Sequence, residues 1–116
     1  MRTVIAFVTV LFLAITPALA DPVGQYDVKG ANPGGGSAYD GSVAVEKTGN
    51  AYRVIWQIGT QFFIGTGVLD GNSLAIWFQS GNFTGVALYA ADGDNWKGKW
   101  VTAGGTEIGS EEWQRK

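Results

Sequence analysis

The side chains that could do chemistry in this chain are a few carboxylates, the indoles and a handful of cations. Glu107, Glu111 and Glu112 fall close together near the C-terminus, with Asp40 far upstream. A pair of carboxylates can hydrolyse a glycoside when one has a raised pKa and the other stands at a defined gap. Nothing in the neighbouring residues marks either partner as buried. The three glutamates therefore read as solvated charge on a last strand and tail. Asp92-Gly93-Asp94-Asn95 groups oxygen ligands that could suit calcium, but a calcium loop needs a longer ligand run closed by a bidentate Glu. None follows, so this stretch reads as a polar hairpin turn. The remaining routes close by composition. With no Cys and no His, the chain has no disulfide, no thiolate or imidazole metal site and no His-based triad. No catalytic, cofactor or metal residue is assigned, and the chain is read as a non-enzyme.

What remains is recognition. Aromatic side chains dominate binding hot spots. Of the five Trp, Trp56, Trp96 and Trp100 have apolar companions at alternate positions and read as core. Trp77 lies opposite Leu74, Ile76 and Phe78, which makes it the candidate exposed aromatic. Lys97 and Lys99 with Arg53 form a candidate basic outer patch, although strand lysines ordinarily serve solubility. The candidate partner-contacting residues are therefore Trp77, Arg53, Lys97 and Lys99. Asp92 and Asp94 join them in one turn, as does the flexible loop Asn32–Ser37. A protein or glycan is the kind of partner such residues suit. The net charge of −2 and the scattered lysines leave no electrostatic footprint for nucleic acid.

These residues must be positioned by strands. Turn signals recur at short, regular intervals: Lys47–Asn50, Asp70–Asn72, Ser80–Asn82, Ala91–Asn95 and Ala103–Thr106. Gly, Asn and Asp supply the positive φ that tight hairpins need. Between the turns, period-two alternation marks half-buried strands. Tyr52, Val54, Trp56 and Ile58 share one face against Arg53 and Gln57. Leu74, Ile76 and Phe78 share another. The expected strands are Gln25–Gly30, Tyr39–Glu46, Ala51–Ile58, Phe62–Leu69, Ser73–Gln79, Phe83–Ala90, Asn95–Thr102 and Glu107–Gln114. An aromatic-x-Gly unit repeats at Tyr39-Asp40-Gly41, Phe63-Ile64-Gly65, Phe83-Thr84-Gly85 and Trp96-Lys97-Gly98. A ring two residues from a strand glycine can cover its bare backbone, and strand glycines permit the bending of a small barrel.

The sequence therefore predicts an all-β domain: an eight-stranded antiparallel up-and-down meander, closed or nearly closed into a small barrel. Closure removes exposed strand edges. With so many Trp and Phe, the interior is expected to be filled. A two-sheet sandwich is the alternative. A membrane-spanning barrel fits poorly, because its strands would be longer and would put Arg53, Lys97 and Lys99 in lipid.

Residues 1–20 differ from the rest. Arg2 precedes an apolar run that ends in Ala18-Leu19-Ala20, the pattern of a cleavable secretory signal peptide. The run from Val4 to Ile15 is too short for a membrane span, and no Cys follows to take a lipid. Residues 21–116 then form a single exported domain, periplasmic or secreted, with no transmembrane span after cleavage.

The ordered set Tyr26-x-Val28-x-Gly30, Asn32-Pro33, Tyr39-x-Gly41, Tyr52-Arg53-Val54-x-Trp56-x-Ile58-Gly59, Gly65-x-Gly67, Gly85-Val86-Ala87-Leu88-Tyr89, Gly98-x-Trp100 and Gly104-Gly105-Thr106-x-x-Gly109-x-Glu111-x-Trp113 resembles a family of small exported alphaproteobacterial proteins. Most are called hypothetical, and some are labelled fibronectin-binding protein. The resemblance spans the exported part and implies a Gram-negative envelope or secreted location, with fibronectin as a named partner. Two further expectations stand beside it: a small-ligand barrel of lipocalin or avidin type, or a periplasmic inhibitor of a hydrolase such as lysozyme.

Overall fold

A computed structural model describes residues 19–116. The signal-peptide reading of residues 1–20 falls almost wholly outside the described residues. The strands are β1 (Gly24–Ala31), β2 (Ala38–Thr48), β3 (Ala51–Ile58), β4 (Gln61–Asp70), β5 (Ser73–Ser80), β6 (Phe83–Asp92), β7 (Asn95–Thr102) and β8 (Gly109–Arg115). Each pairs antiparallel with the next, and β8 returns to β1, so the meander closes into a barrel. The expected closed eight-stranded barrel is the architecture found. Strand ends differ from the expected ones by two residues or fewer, and β8 begins at Gly109 rather than Glu107. Ile108 instead gives its carbonyl to the Gly34 N–H and ties the β7–β8 loop to the β1–β2 loop.

Five of the hairpins close through two residues, of which the first is a glycine with φ between 59° and 62°: Gly49, Gly59, Gly71, Gly81 and Gly93. The second turn residue has negative φ in every case, since among the described residues no non-glycine has positive φ. That is the type II′ pattern, whose twist matches the flanking strands.

Alternation decides what is inside. Val43 and Val45 of β2, Val54 and Trp56 of β3, and Leu74, Ile76 and Phe78 of β5 point inward and are buried. Lys29, Lys97, Lys99 and Arg53 point out. This apolar interior differs from the polar interior of membrane-spanning barrels.

The strand glycines are also inside, but their cover comes from across the ladder rather than along the strand. Tyr39 lies over Gly30, Phe78 over Gly85, Tyr89 over Gly98 and Trp100 over Gly109. Each of these is a directly opposed pair in the register. The expected cover by the ring two residues away is not what occurs, because residues i and i+2 stand side by side on one face. An opposed residue can lay its ring flat across the gap. A Cβ at Gly98 would enter the Tyr89 ring. Gly98→Ala is expected to destabilise by about 1–3 kcal/mol, the usual cost of forcing extra volume into a packed interior. A denaturant melt against the unchanged protein checks this, and an unshifted midpoint would contradict it.

Candidate ligand pocket in the barrel mouth

The two ends of the barrel are built differently. At one end lie the N-terminal segment, the β2–β3, β4–β5 and β6–β7 hairpins and the end of β8. Arg115 ties that end shut. Its guanidinium donates to the carbonyls of Asp94, Val23 and Asp21 and to the Tyr26 hydroxyl, at 2.7–3.1 Å. It also sits 4.7 Å from the centre of the Tyr26 ring, a cation–π contact. Pro22 is fully buried beneath it and accepts from the Tyr26 hydroxyl.

The opposite end is open. Between the β1–β2 loop, the β3–β4 and β5–β6 turns and the β7–β8 loop, a cavity of about 270 Å³ enters the barrel. The expected filled interior is therefore only half right: the lower barrel is packed, the upper barrel is not. Asn32 and Gln61 stand at the rim, and Ile58, Phe63, Phe78, Phe83 and Trp100 make apolar walls. The rings meet edge to face at centroid separations of 6.0–6.4 Å (Phe63–Phe78, Phe63–Phe83, Phe78–Trp100), the arrangement aromatic quadrupoles favour.

The floor is polar, and its centre is Glu111. This residue is 6% exposed, the one buried charged side chain among the described residues. Its Oε1 accepts from Trp113 Nε1 at 2.7 Å, Trp56 Nε1 at 2.8 Å and the Tyr89 hydroxyl at 3.1 Å. Its Oε2 accepts from the Tyr39 hydroxyl. Four neutral donors from β2, β3, β6 and β8 thus converge on one carboxylate. Burying a charge is costly unless it is hydrogen-bonded, and here the bonds are supplied without any cation. A carboxylate offers about four acceptor sites shared between two oxygens. Three bonds fall on Oε1 and one on Oε2, so the remaining capacity lies at Oε2.

Glu111 was expected to be solvated, and its burial is a correction. Glu112, one residue on, is exposed and lies opposite Lys29 and Lys97 in the register. Glu107 is exposed in the mouth loop beside Gly34. The three carboxylates are thus separated by the wall, and no pair forms. The signal that could have found Glu111 is parity: Gly109, Glu111 and Trp113 share the inward face, and a Trp so placed demands that Glu111 be inside.

The tyrosines feel this arrangement. Burial first, then the Glu111 carboxylate, raises Tyr39 and Tyr89 above the ordinary value near 10. Tyr26 is raised by burial, against the lowering effect of Arg115. A phenol whose folded pKa is raised stabilises the fold fully below the unfolded pKa and loses that contribution as pH climbs through the folded value. Stability is expected to be flat in these groups below about pH 10 and to fall above it. Absorbance of phenolate against pH checks this: in the folded protein these three of the four tyrosines should ionise later than in urea. Coincident folded and unfolded curves would contradict it.

Trp100 supplies one further feature. Its Nε1–H is buried and donates to no protein atom. The Tyr39 oxygen lies near enough to be influenced by it but does not form a hydrogen bond with it. Buried donors are ordinarily satisfied; this one is packed against Gly109, where an added Cβ would fall 2.6 Å from it.

The residues singled out from the sequence lie elsewhere. Trp77 is on the outer wall and 47% exposed. Arg53, Thr66, Trp77 and Val86 form one outward cross-strand row, with Lys99, Leu88, Ala75 and Val68 in the next. In the closed eight-stranded barrel Arg53 on β3 and Lys99 on β7 stand four strands apart, on opposite sides, so the expected basic patch does not form; Trp77 on β5 is flanked instead by exposed Val68 on β4 and Val86 and Leu88 on β6. Lys97 is separate, near the closed end, in a 3.4 Å ion pair with Asp92. Asp94 lies in the adjoining turn, where its carbonyl holds Arg115. Asn32–Ser37 is the loop that borders the mouth.

Fold and site together define a small closed antiparallel barrel with a sealed base and an aromatic, carboxylate-floored mouth. No protein-family model matches the chain, and no curated protein matches it.

Proposed function

We propose that the protein is a non-enzymatic binding module that holds a small ligand in the barrel mouth. The observation that carries this is the 270 Å³ apolar-walled cavity with a buried carboxylate at its floor. Ligand sites are characteristically concave and mostly apolar, with few convergent polar groups. Of the readings the sequence left open, the lipocalin- or avidin-like barrel is the one this geometry supports best. The leader-like residues 1–20 support placing the protein outside the bacterial cytoplasm, in the periplasm or released. Among the described residues Glu111 is the one carboxylate lining the cavity, and this supports binding rather than two-carboxylate glycoside hydrolysis.

Indole N–H resonances test the reading, because the five Trp report on different places. A ligand in the mouth is expected to shift Trp56 and Trp100 and leave Trp77 still. A small-molecule library that moves only Trp77, or none of the five, would defeat the proposal.

The outer wall supports a second reading, a protein partner such as fibronectin engaged by Trp77 with its exposed neighbours Val68, Val86 and Leu88. Clustered exposed apolar side chains mark interaction surfaces. Saturable fibronectin binding at about 150 mM salt, where exposed charge pairs are largely screened, is expected to be lost in Trp77→Ala. Binding that survives this substitution would exclude the outer wall.

A further inference from the structure

We infer that the mouth pocket selects a small organic monocation, its N–H-bearing head at Glu111 Oε2 and its apolar body against Phe63, Phe78 and Phe83. This rests on the mouth-pocket reading of function and adds the ligand's charge and polarity. Three observations carry it.

First, the pocket holds a negative charge that the protein does not neutralise. Among the described residues neither lysine nor arginine borders the cavity, and the groups bonded to Glu111 are two phenols and two indoles. The nearest built-in cation on β8, Arg115, is committed to the closed end. An anion entering the mouth would meet an uncompensated carboxylate in surroundings of low dielectric, where like-charge repulsion is strong. A cation would meet its complement.

Second, the unused acceptor capacity is on the oxygen beside Tyr39, whereas Oε1 is filled from three sides. A group with N–H donors can use that site; an acceptor-only group cannot. Charge-assisted N–H to carboxylate bonds are about twice as strong as neutral ones.

Third, the space above the carboxylate is bounded by aromatic rings, Trp56 and Tyr39 low down and Phe63, Phe78, Phe83 and Trp100 higher. Their negative faces attract a cation, and aromatic cages are a recurrent device for ammonium ligands. The volume of 270 Å³ suits a compact amine.

The test uses protein expressed from the full-length sequence and purified as the cell processes it. It is titrated with three probes of similar shape, 2-phenylethylamine, 2-phenylethanol and 3-phenylpropionate, reading the indole N–H signals of Trp56 and Trp100. The amine is expected to bind at least about tenfold tighter than the alcohol, and the acid weakest of the three. The alcohol or acid binding as tightly as the amine overturns the cation assignment and leaves the mouth as a ligand site. Silence of all three probes at millimolar concentration overturns both. In Glu111→Gln the amine's advantage over the alcohol is expected to vanish, and an advantage kept at its full size overturns the assignment. If that variant does not fold, the ranking of the probes on the unchanged protein still decides.

Discussion

Glu111→Ala is expected to destabilise the barrel by about 3–5 kcal/mol, the range for breaking a buried charged hydrogen-bond network by removing one partner. The carboxylate is the common acceptor of Tyr39, Tyr89, Trp56 and Trp113. Its removal strands four donors in a region that water reaches only through the mouth. Each buried donor left unmade costs about 1–3 kcal/mol. Relief of the carboxylate's own desolvation, and entry of water from the cavity, offset part of that sum. Total stabilities of small domains are only about 5–15 kcal/mol, so the variant should be close to its limit. Glu111→Gln is expected to be milder, about 1–2 kcal/mol, the cost on the order of one impaired hydrogen bond. An amide oxygen can keep the Oε1 bonds, and its NH₂ can donate to the Tyr39 oxygen with the phenol turned round. The order Ala worse than Gln is the discriminating result in urea melts. Equal losses would mean that Glu111 acts by volume and not as an acceptor.

Trp113→Ala is expected to cost at least as much, about 3–5 kcal/mol for the lost bulk of a buried Trp. Trp113 is fully buried and lies at the crossing of the aromatic core. Its ring centroid is 4.2 Å from Tyr89, 5.5 Å from Tyr26 and 6.0 Å from Trp56. It also donates to Glu111, so the substitution opens a cavity and removes a hydrogen bond together. Trp113→Phe should recover much of the packing but not the donor, and is expected to fall between Ala and the unchanged protein. Because Trp113 and Glu111 share one network, the double variant should lose less than the sum of the singles, as contacting residues do. Strict additivity would show that the indole N–H contributes nothing through the carboxylate.

Both predictions concern residues whose importance rests on assembly. Glu111 looks like ordinary surface charge beside Glu112 and Glu107, yet one residue of parity separates a core carboxylate from a solvated one. The motif Gly109-x-Glu111-x-Trp113 carries that parity. Trp113 on the inward face would have placed Glu111 there too, had the strand's alternation been weighed above the usual preference of Glu for water. Trp77 was legible for the same reason in reverse: Leu74, Ile76 and Phe78 claim the inside, and Trp77 is left outside.

The amino-acid sequence by itself determined the strands, the turns and their order. Alternating aromatic and β-branched runs between Gly-led turns admit little besides an antiparallel meander, because period two and tight hairpins are local properties written in neighbouring residues. Composition by itself removed imidazole and thiolate chemistry. Closure of β8 on β1 was an inference, and the structure shows it as a register from Tyr26↔Arg115 to Ala31↔Ser110. Only the tertiary structure decided which glycines face which rings. It alone sealed one end with Arg115 and left the other open, and it alone drew Tyr39, Trp56, Tyr89 and Trp113 around Glu111. Those relations join residues up to 94 positions apart, and they exist only once the barrel has closed.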